Sequence, residues 1–218
     1  MIIIGLIGQK RVGKDTVANI IQSLDPEFQR FALADPIKDI ARIMFNFTES
    51  QLYDTEKDML DANWGIRPRD FFEKFGTDIM QFDIYKYLPE LNDNVPRRCF
   101  WIQSLIRKIQ SSKHQKFIIT DIRGEHELDS LISAFPLPLT DTGTNTNTNT
   151  NSIKFIKIIN NRQTTTYHTG NEITHITQAE PELIPLDKIN MIIENNSTLD
   201  DLHNKVKVVL DELSRSPI

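Results

Sequence analysis

The chain has 218 residues, 39% of them hydrophobic and 25% charged, and a net charge of −5. That length allows a substantial core, while the acidic balance argues against a general nucleic-acid or membrane-surface binder, because both partners attract clustered positive charge. A single cysteine, Cys99, excludes an internal disulfide framework and a cysteine-based zinc site.

No apolar run is long enough to cross a bilayer. Ile2–Ile7 lacks the basic stretch that would make it a secretory leader, so the cytosol is the expected compartment. Ile2, Ile3, Ile4, Leu6 and Ile7 form a nearly continuous apolar run, which predicts a strand buried on both faces. From Lys14 the period changes. Val17, Ile20, Ile21 and Leu24 fall on one face of a helix that Asp25-Pro26 ends. Asp35-Pro36 reads as an N-cap followed by a first-turn proline, with Ile37, Ile40, Ala41 and Met44 as the buried face.

Trp101–Ile109 predicts another amphipathic helix. Phe117–Thr120, Ile153–Ile159 and Ile189–Ile193 predict inner strands. Leu199–Leu213 predicts a final helix, capped by Thr198 with Asp201 three residues on. Strands alternating with helices imply an α/β fold with a mostly parallel sheet covered on both faces. The segment 140–152 is dominated by a Thr-Asn repeat, cannot bury enough surface to offset its ordering entropy, and reads as a flexible surface insert.

The most informative stretch is Gly8-Gln9-Lys10-Arg11-Val12-Gly13-Lys14-Asp15-Thr16, with the G-x-x-x-x-G-K spacing of a P-loop. Two glycines let the backbone curl so that consecutive N–H groups face phosphate oxygens, and the helix behind offers its positive end. Lys14 would reach the β- and γ-phosphates. Three fixed residues would also describe a glycine turn without a ligand; the buried strand before and amphipathic helix after supply the confirming context. The usual Ser/Thr after the lysine is Asp15, with Thr16 next. Either could serve a magnesium ion.

Other basic groups look for an anion. Lys38 and Arg42 are helical neighbours whose like charges call for one between them, though two solvated side chains fit the spacing equally. Trp64, Arg67 and Arg69 flank a helix-starting proline. An arginine fork grips phosphate and an aromatic face stacks on a base, so Trp64 and Arg69 are expected at a ligand, while Phe71, Phe72 and Phe75 are expected in the core. Asp121 ends a buried strand on the edge where α/β sheets bind ligands; it could orient Mg²⁺ or cap a helix, and Arg123 could meet a phosphate. Arg162 opens a polar segment through Tyr167, His168 and His175, which reads equally as a lid over ATP or as an ordinary loop. The five histidines show no metal spacing.

In order, GQKRVGKDT, FALADPIKDIARIMF, WGIRPRDFFEKFGTD and ITDIRGEHEL resemble the motifs of the deoxynucleoside monophosphate kinases of bacteriophages and large DNA viruses. Phosphomevalonate kinase is similar in its GxxxxGKD loop. The resemblance covers Ile2–Leu131 and returns at Ile192–Leu202 and around His175. It implies a P-loop NTPase fold of the nucleoside monophosphate kinase type, with a parallel sheet of about five strands flanked by helices. A single kinase domain, 1–218, would contain an acceptor-binding helical segment at 35–100 and a lid at 160–180.

The reaction implied is transfer of the ATP γ-phosphate to a deoxynucleoside monophosphate, with ATP and Mg²⁺ required and small nucleotides as partners. Relatives suggest a homodimer. Gly8, Lys10, Arg11, Val12, Gly13, Lys14, Asp15 and Thr16 would bind ATP. Asp35, Lys38, Arg42, Trp64, Arg69, Gly76, Thr77 and Asp121 would form the acceptor side. Lys14, Arg69, Arg123 and Arg162 would act in catalysis; Asp15, Thr16 and Asp121 would serve the metal. Asp121, Arg123 and Glu127 match a D-[VI]-R-x-x-x-E run. Two departures are Gly124, where the family has Phe, and His175-Ile176-Thr177-Gln178, where it has H-x-S-E. Rival readings are a phosphomevalonate-type kinase and a nucleotide-binding sensor without turnover.

Overall fold

The computed structural model describes residues 1–136, 151–160 and 176–215, with side chains left out at 176–179 and 214–215. In chain order the elements are β1 (Ile2–Ile7), α1 (Lys14–Leu24), β2 (Phe28–Phe31), α2 (Asp35–Phe45), α3 (Glu49–Tyr53), α4 (Pro68–Glu73), α5 (Ile84–Tyr87), α6 (Phe100–Gln110), β3 (Lys116–Ile122), α7 (Glu125–Ala134), β4 (Ser152–Ile159), α8 (Ile176–Leu183), β5 (Met191–Glu194) and α9 (Leu199–Arg215). Two compact units result: Met1–Phe31 with Lys108–Ile218, and Ala32–Arg107. Among the described residues no helix is long and apolar enough to cross a membrane.

The first unit is an α/β layer. Its five strands run parallel in the order β2-β3-β1-β4-β5. The chain fills one side of β1 and then the other, so the winding reverses at β1, and the loop that leaves its carboxyl end is placed for a ligand. Phe117, Ile118 and Ile119 are all buried although successive side chains face opposite ways, so both sheet faces are covered. On one of them Ile4, Leu6, Ile118, Ile156 and Ile158 pack with Val17 and Ile21 of α1 and Leu202 and Val206 of α9. Each such side chain contributes about 1.5–3 kcal/mol on burial. Thr198 caps α9 as expected, accepting from the Asp201 N–H at 3.2 Å.

The edge strand β2 is absent from the sequence expectation. It is four residues long, carries Gln29 and Arg30 between two phenylalanines, and pairs with β3 alone. Such a short, half-polar edge leaves no period to read.

The helical second unit has its core at Ala41, Phe47 and Leu52, with Phe45, Ile66, Phe71 and Phe72 packed on it. Asn46 takes a left-handed turn (φ 55°) and ends α2; Thr48 and Gln51 form a reciprocal capping box for α3. Beyond α4 the backbone runs through a π-helical stretch, Lys74–Asp83. Gly76 lies inside it, its carbonyl accepting from Trp101 Nε1 at 2.6 Å. A Cβ there would stand 2.6 Å from Ile37 Cδ1, so glycine permits the close approach.

Two local expectations are corrected in α2. The N-cap is Ala34, and Asp35 begins the helix with its carboxylate turned back to accept from the Ala32 N–H at 2.8 Å. Met44 is not on the buried face: it is 55% exposed, and Phe47 beyond the helix end supplies the core contact instead.

Candidate active site

The loop from Gly8 to Lys14 joins β1 to α1. Three of its residues have left-handed backbones: Gly8 (φ 148°), Arg11 (φ 67°) and Gly13 (φ 103°). Alternating handedness turns successive N–H groups to one side and builds an anion-binding concavity at the start of α1. Both glycines are favoured by conformation, and Gly8 by space as well. A Cβ on Gly8 would meet the Ile158 carbonyl oxygen at 2.5 Å, and one on Gly13 would strike Asn195 Nδ2.

The Lys14 ammonium closes the loop by donating to the carbonyls of Gly8 (2.7 Å) and Gln9 (2.6 Å). Burial, and next the positive charge of Arg123, lower its pKa to about 8; Asp15 and Asp121 partly offset this. Lys14, Asp121 and Arg123 are thus electrostatically coupled at the carboxyl edge of the sheet. Asp121 lies within β3, and the N-cap of α7 is Gly124, so the carboxylate is not a helix cap. The turn that carries Arg123 is pinned by Glu127, whose Oε2 accepts from the N–H groups of Arg123 (2.7 Å) and Gly124 (3.1 Å). Glu127 is 7% exposed, and burial pushes its pKa up to about 7.

Asp15 is exposed and pairs with Arg30 of β2, which also donates to Asn19 Oδ1 at 3.0 Å. Sequence reasoning did not anticipate this partner, since β2 itself went unread. Among the described residues no group of three or more His, Cys, Asp or Glu could hold a metal alone. A nucleotide-borne Mg²⁺ needs only one or two protein oxygens besides phosphate and water. Asp121, within β3, bears electrostatically on Lys14 of the loop and is the carboxylate that could supply one such oxygen.

The expected acceptor residues Asp35, Lys38, Arg42, Trp64, Arg69, Gly76 and Thr77 all belong to the helical unit. Lys38 lies over the Tyr53 ring at 4.1 Å, with the Arg42 guanidinium at 6.0 Å from the same ring. Arg42 also pairs with Asp39 and Glu49, each at 2.8 Å, and Glu49 and Tyr53 hold its pKa above the usual range. Trp64 is 52% exposed, with Nε1 donating to the Phe45 carbonyl at 2.9 Å and its ring edge-on to Phe45. Arg69 is held by Asp58, with Glu73 at 4.0 Å. Gly76 and Thr77 are buried; Phe71 and Phe72 are half-buried against the core of this unit, and Phe75, also half-buried, stacks on Phe71. Arg162, Tyr167, His168, His175 and most of the 140–152 insert and 160–180 segment lie outside the described residues.

A strand, a phosphate-binding turn with its lysine, and a helix in a parallel sheet define a P-loop nucleotide-binding α/β protein. Residues 2–62, spanning β1 to the approach to α4, match the deoxynucleotide monophosphate kinase family. That match places the segment in a phosphotransferase family, with ATP the implied co-substrate and nucleotides the implied substrates. No curated protein matches the chain.

Similar solved structures include an unliganded sugar kinase from Janibacter sp. HTCC2649 (12% identity, TM-score 0.48, covering 96% of this chain and 94% of that one). A gluconokinase from Sinorhizobium meliloti 1021 matches at 10% identity and TM-score 0.46, over 96% of this chain and 91% of that one. Dephospho-CoA kinase from Campylobacter jejuni matches at 17% identity and TM-score 0.41, over the whole of both chains.

Proposed function

We propose that the chain transfers the γ-phosphoryl group of ATP to the 5′-phosphate of a deoxynucleoside monophosphate, giving a deoxynucleoside diphosphate and ADP. One arrangement carries the reading: the loop has left-handed backbones at Gly8, Arg11 and Gly13, the Lys14 ammonium folds back on the Gly8 and Gln9 carbonyls, and Arg123 brings a second positive charge to bear on it. Two cations in that relation are relieved by a polyanion between them. The triphosphate tail of ATP is such an anion, and Lys14 exchanges the Gly8 and Gln9 carbonyls for phosphate oxygens when it binds.

The attacking oxygen belongs to a phosphate and is already anionic, so no strong general base is needed. Catalysis reduces to in-line positioning and neutralisation of charge. Arg123, set by the Glu127-pinned turn, neutralises charge on the transferred group. Arg69 grips the acceptor phosphate, Lys38 and Arg42 lend positive potential on the same side, and Trp64 presents an exposed aromatic face to the base. Thr16 and Asp121 would hold Mg²⁺, which would supply charge neutralisation to the bound polyphosphate; Asp15 is paired with Arg30.

The test is a coupled assay with ATP, Mg²⁺ and each of the four common deoxynucleoside monophosphates in turn, with phosphomevalonate as the control acceptor. ATP consumption in proportion to an added nucleotide is the expected result. Turnover with phosphomevalonate alone, or ATP binding without any turnover, would replace this reading by one of its rivals.

A further inference from the structure

Asn195 follows β5, far in sequence from the phosphate loop, yet meets it at two points. Its side-chain Nδ2 donates to the Val12 carbonyl at 3.0 Å, and the same nitrogen fills the space that a Cβ on Gly13 would need. Its backbone N–H donates to the Ile159 carbonyl at the end of β4 at 2.8 Å. The asparagine is thus fixed to the sheet through its backbone and to the loop through its amide. Val12 is buried, so its carbonyl would have little water to turn to if the amide were removed.

From this geometry we propose that Asn195 is a positioning residue for nucleotide binding, holding the Val12–Gly13 peptide in the orientation that aims the loop's N–H groups at phosphate. The proposal rests on the reading that the loop binds ATP. The chemistry is specific to asparagine. The loop presents an acceptor, the Val12 oxygen, to a short side chain, so a donor is required. Aspartate has the same shape but offers the carbonyl a negative oxygen, and it adds a negative charge beside an anion site. Alanine leaves the carbonyl unpaired and a gap beside Gly13. The pre-set loop loses its orientation in either case, and the nucleotide must restore it on binding.

The experiment compares the wild-type chain with Asn195→Ala, Asn195→Asp and Lys14→Ala. Calorimetry with ATP and Mg²⁺ measures affinity, and hydrogen exchange of the ligand-free proteins measures loop order. Asn195→Ala is expected to bind ATP about tenfold more weakly, and Asn195→Asp more weakly still. Exchange should rise at the amides of residues 9–14 while those of β1, β3 and β4 stay protected. Wild-type affinity in both Asn195 variants, beside a Lys14→Ala protein that has lost binding, would overturn the proposal and leave the ATP reading intact. A uniform rise in exchange through the sheet would mean that Asn195 serves the fold as a whole, and would overturn it too. Failure of the wild-type chain to bind ATP at all would remove the ATP reading and this inference with it.

Discussion

Asp58 grips Arg69 side-on: one carboxylate oxygen accepts from Nε and the other from Nη2 at 3.2 Å. The edge formed by Nη1 and Nη2 is turned away from Asp58, with Glu73 Oε1 standing 4.0 Å from Nη1, so an acceptor phosphate gripped bidentately here would take the place of that carboxylate. The pair is partly exposed and adds little to stability, about 1 kcal/mol or less. Arg69→Ala should therefore melt within a few degrees of wild type while losing most kinase activity, at least about a hundredfold. Thermal melts beside the coupled assay check this. Full turnover in Arg69→Ala would remove the residue from the acceptor side.

The proposed contact of Lys14 with ATP predicts a pH dependence of definite sign for nucleotide affinity. Its pKa in the ligand-free protein is about 8, lowered first by burial and then by Arg123. A polyanion favours the charged lysine and raises that pKa on binding. Above about pH 8 a proton must accordingly be taken up with ATP, and affinity should fall by up to about tenfold per pH unit. At pH 6.5 uptake by this group should vanish. Titrations in two buffers of different ionisation enthalpy measure the proton count directly.

For Glu127 the sign is reversed. Burial raises its pKa from 4.5 to about 7, so between those values the folded chain keeps a proton that the unfolded chain has lost. This residue makes the protein less stable as pH rises through that window, by at most about 3 kcal/mol. A single oxygen accepts both backbone N–H groups, so the amide of Glu127→Gln can replace it. The variant should fold and show a flatter dependence of Tm on pH between 4.5 and 7. An unchanged slope would show that the carboxyl group does not titrate there.

Gly76 offers a packing test apart from the chemistry. Alanine would gain helix propensity, yet its Cβ would press on Ile37 Cδ1. Gly76→Ala alone should destabilise by about 1–3 kcal/mol. Adding Ile37→Val removes the offending methyl and should recover part of that loss in denaturant melts. Simple additivity of the two changes would place the strain elsewhere.

The architecture was legible wherever burial or backbone chemistry leaves a local mark. β1 is an apolar run broken only by Gly5, the loop after it needs its glycines, and α1 and α9 carry their core residues at helical spacing. Short elements were harder. β2 has four residues and only one pairing neighbour, so neither length nor alternation marks it. Asp35 resembles an N-cap by residue type, but type does not distinguish a cap from a first-turn acid that reaches backward.

In the candidate site, Lys14, Asp121 and Arg123 could be named from their positions at or beyond the carboxyl ends of strands. Their partners could not. Lys38 and Arg42 share an aromatic ring, Tyr53, that spacing along the helix does not reveal. Asp15 finds Arg30, and Val12 finds Asn195, across 183 positions in the latter case. Contacts between distant segments have no local signature in a single sequence.

The pairing of Asp15 with Arg30 bears on how this loop could be moved or redesigned. Transplanting only Gly8–Thr16 into another scaffold would carry an exposed acid along without the guanidinium that answers it. Reverting Asp15 to the commoner hydroxyl residue would strand the arginine instead. The portable module therefore runs from β1 through α1 to β2, two parallel strands with β3 between them, and an engineer who cuts before Arg30 would be cutting through it.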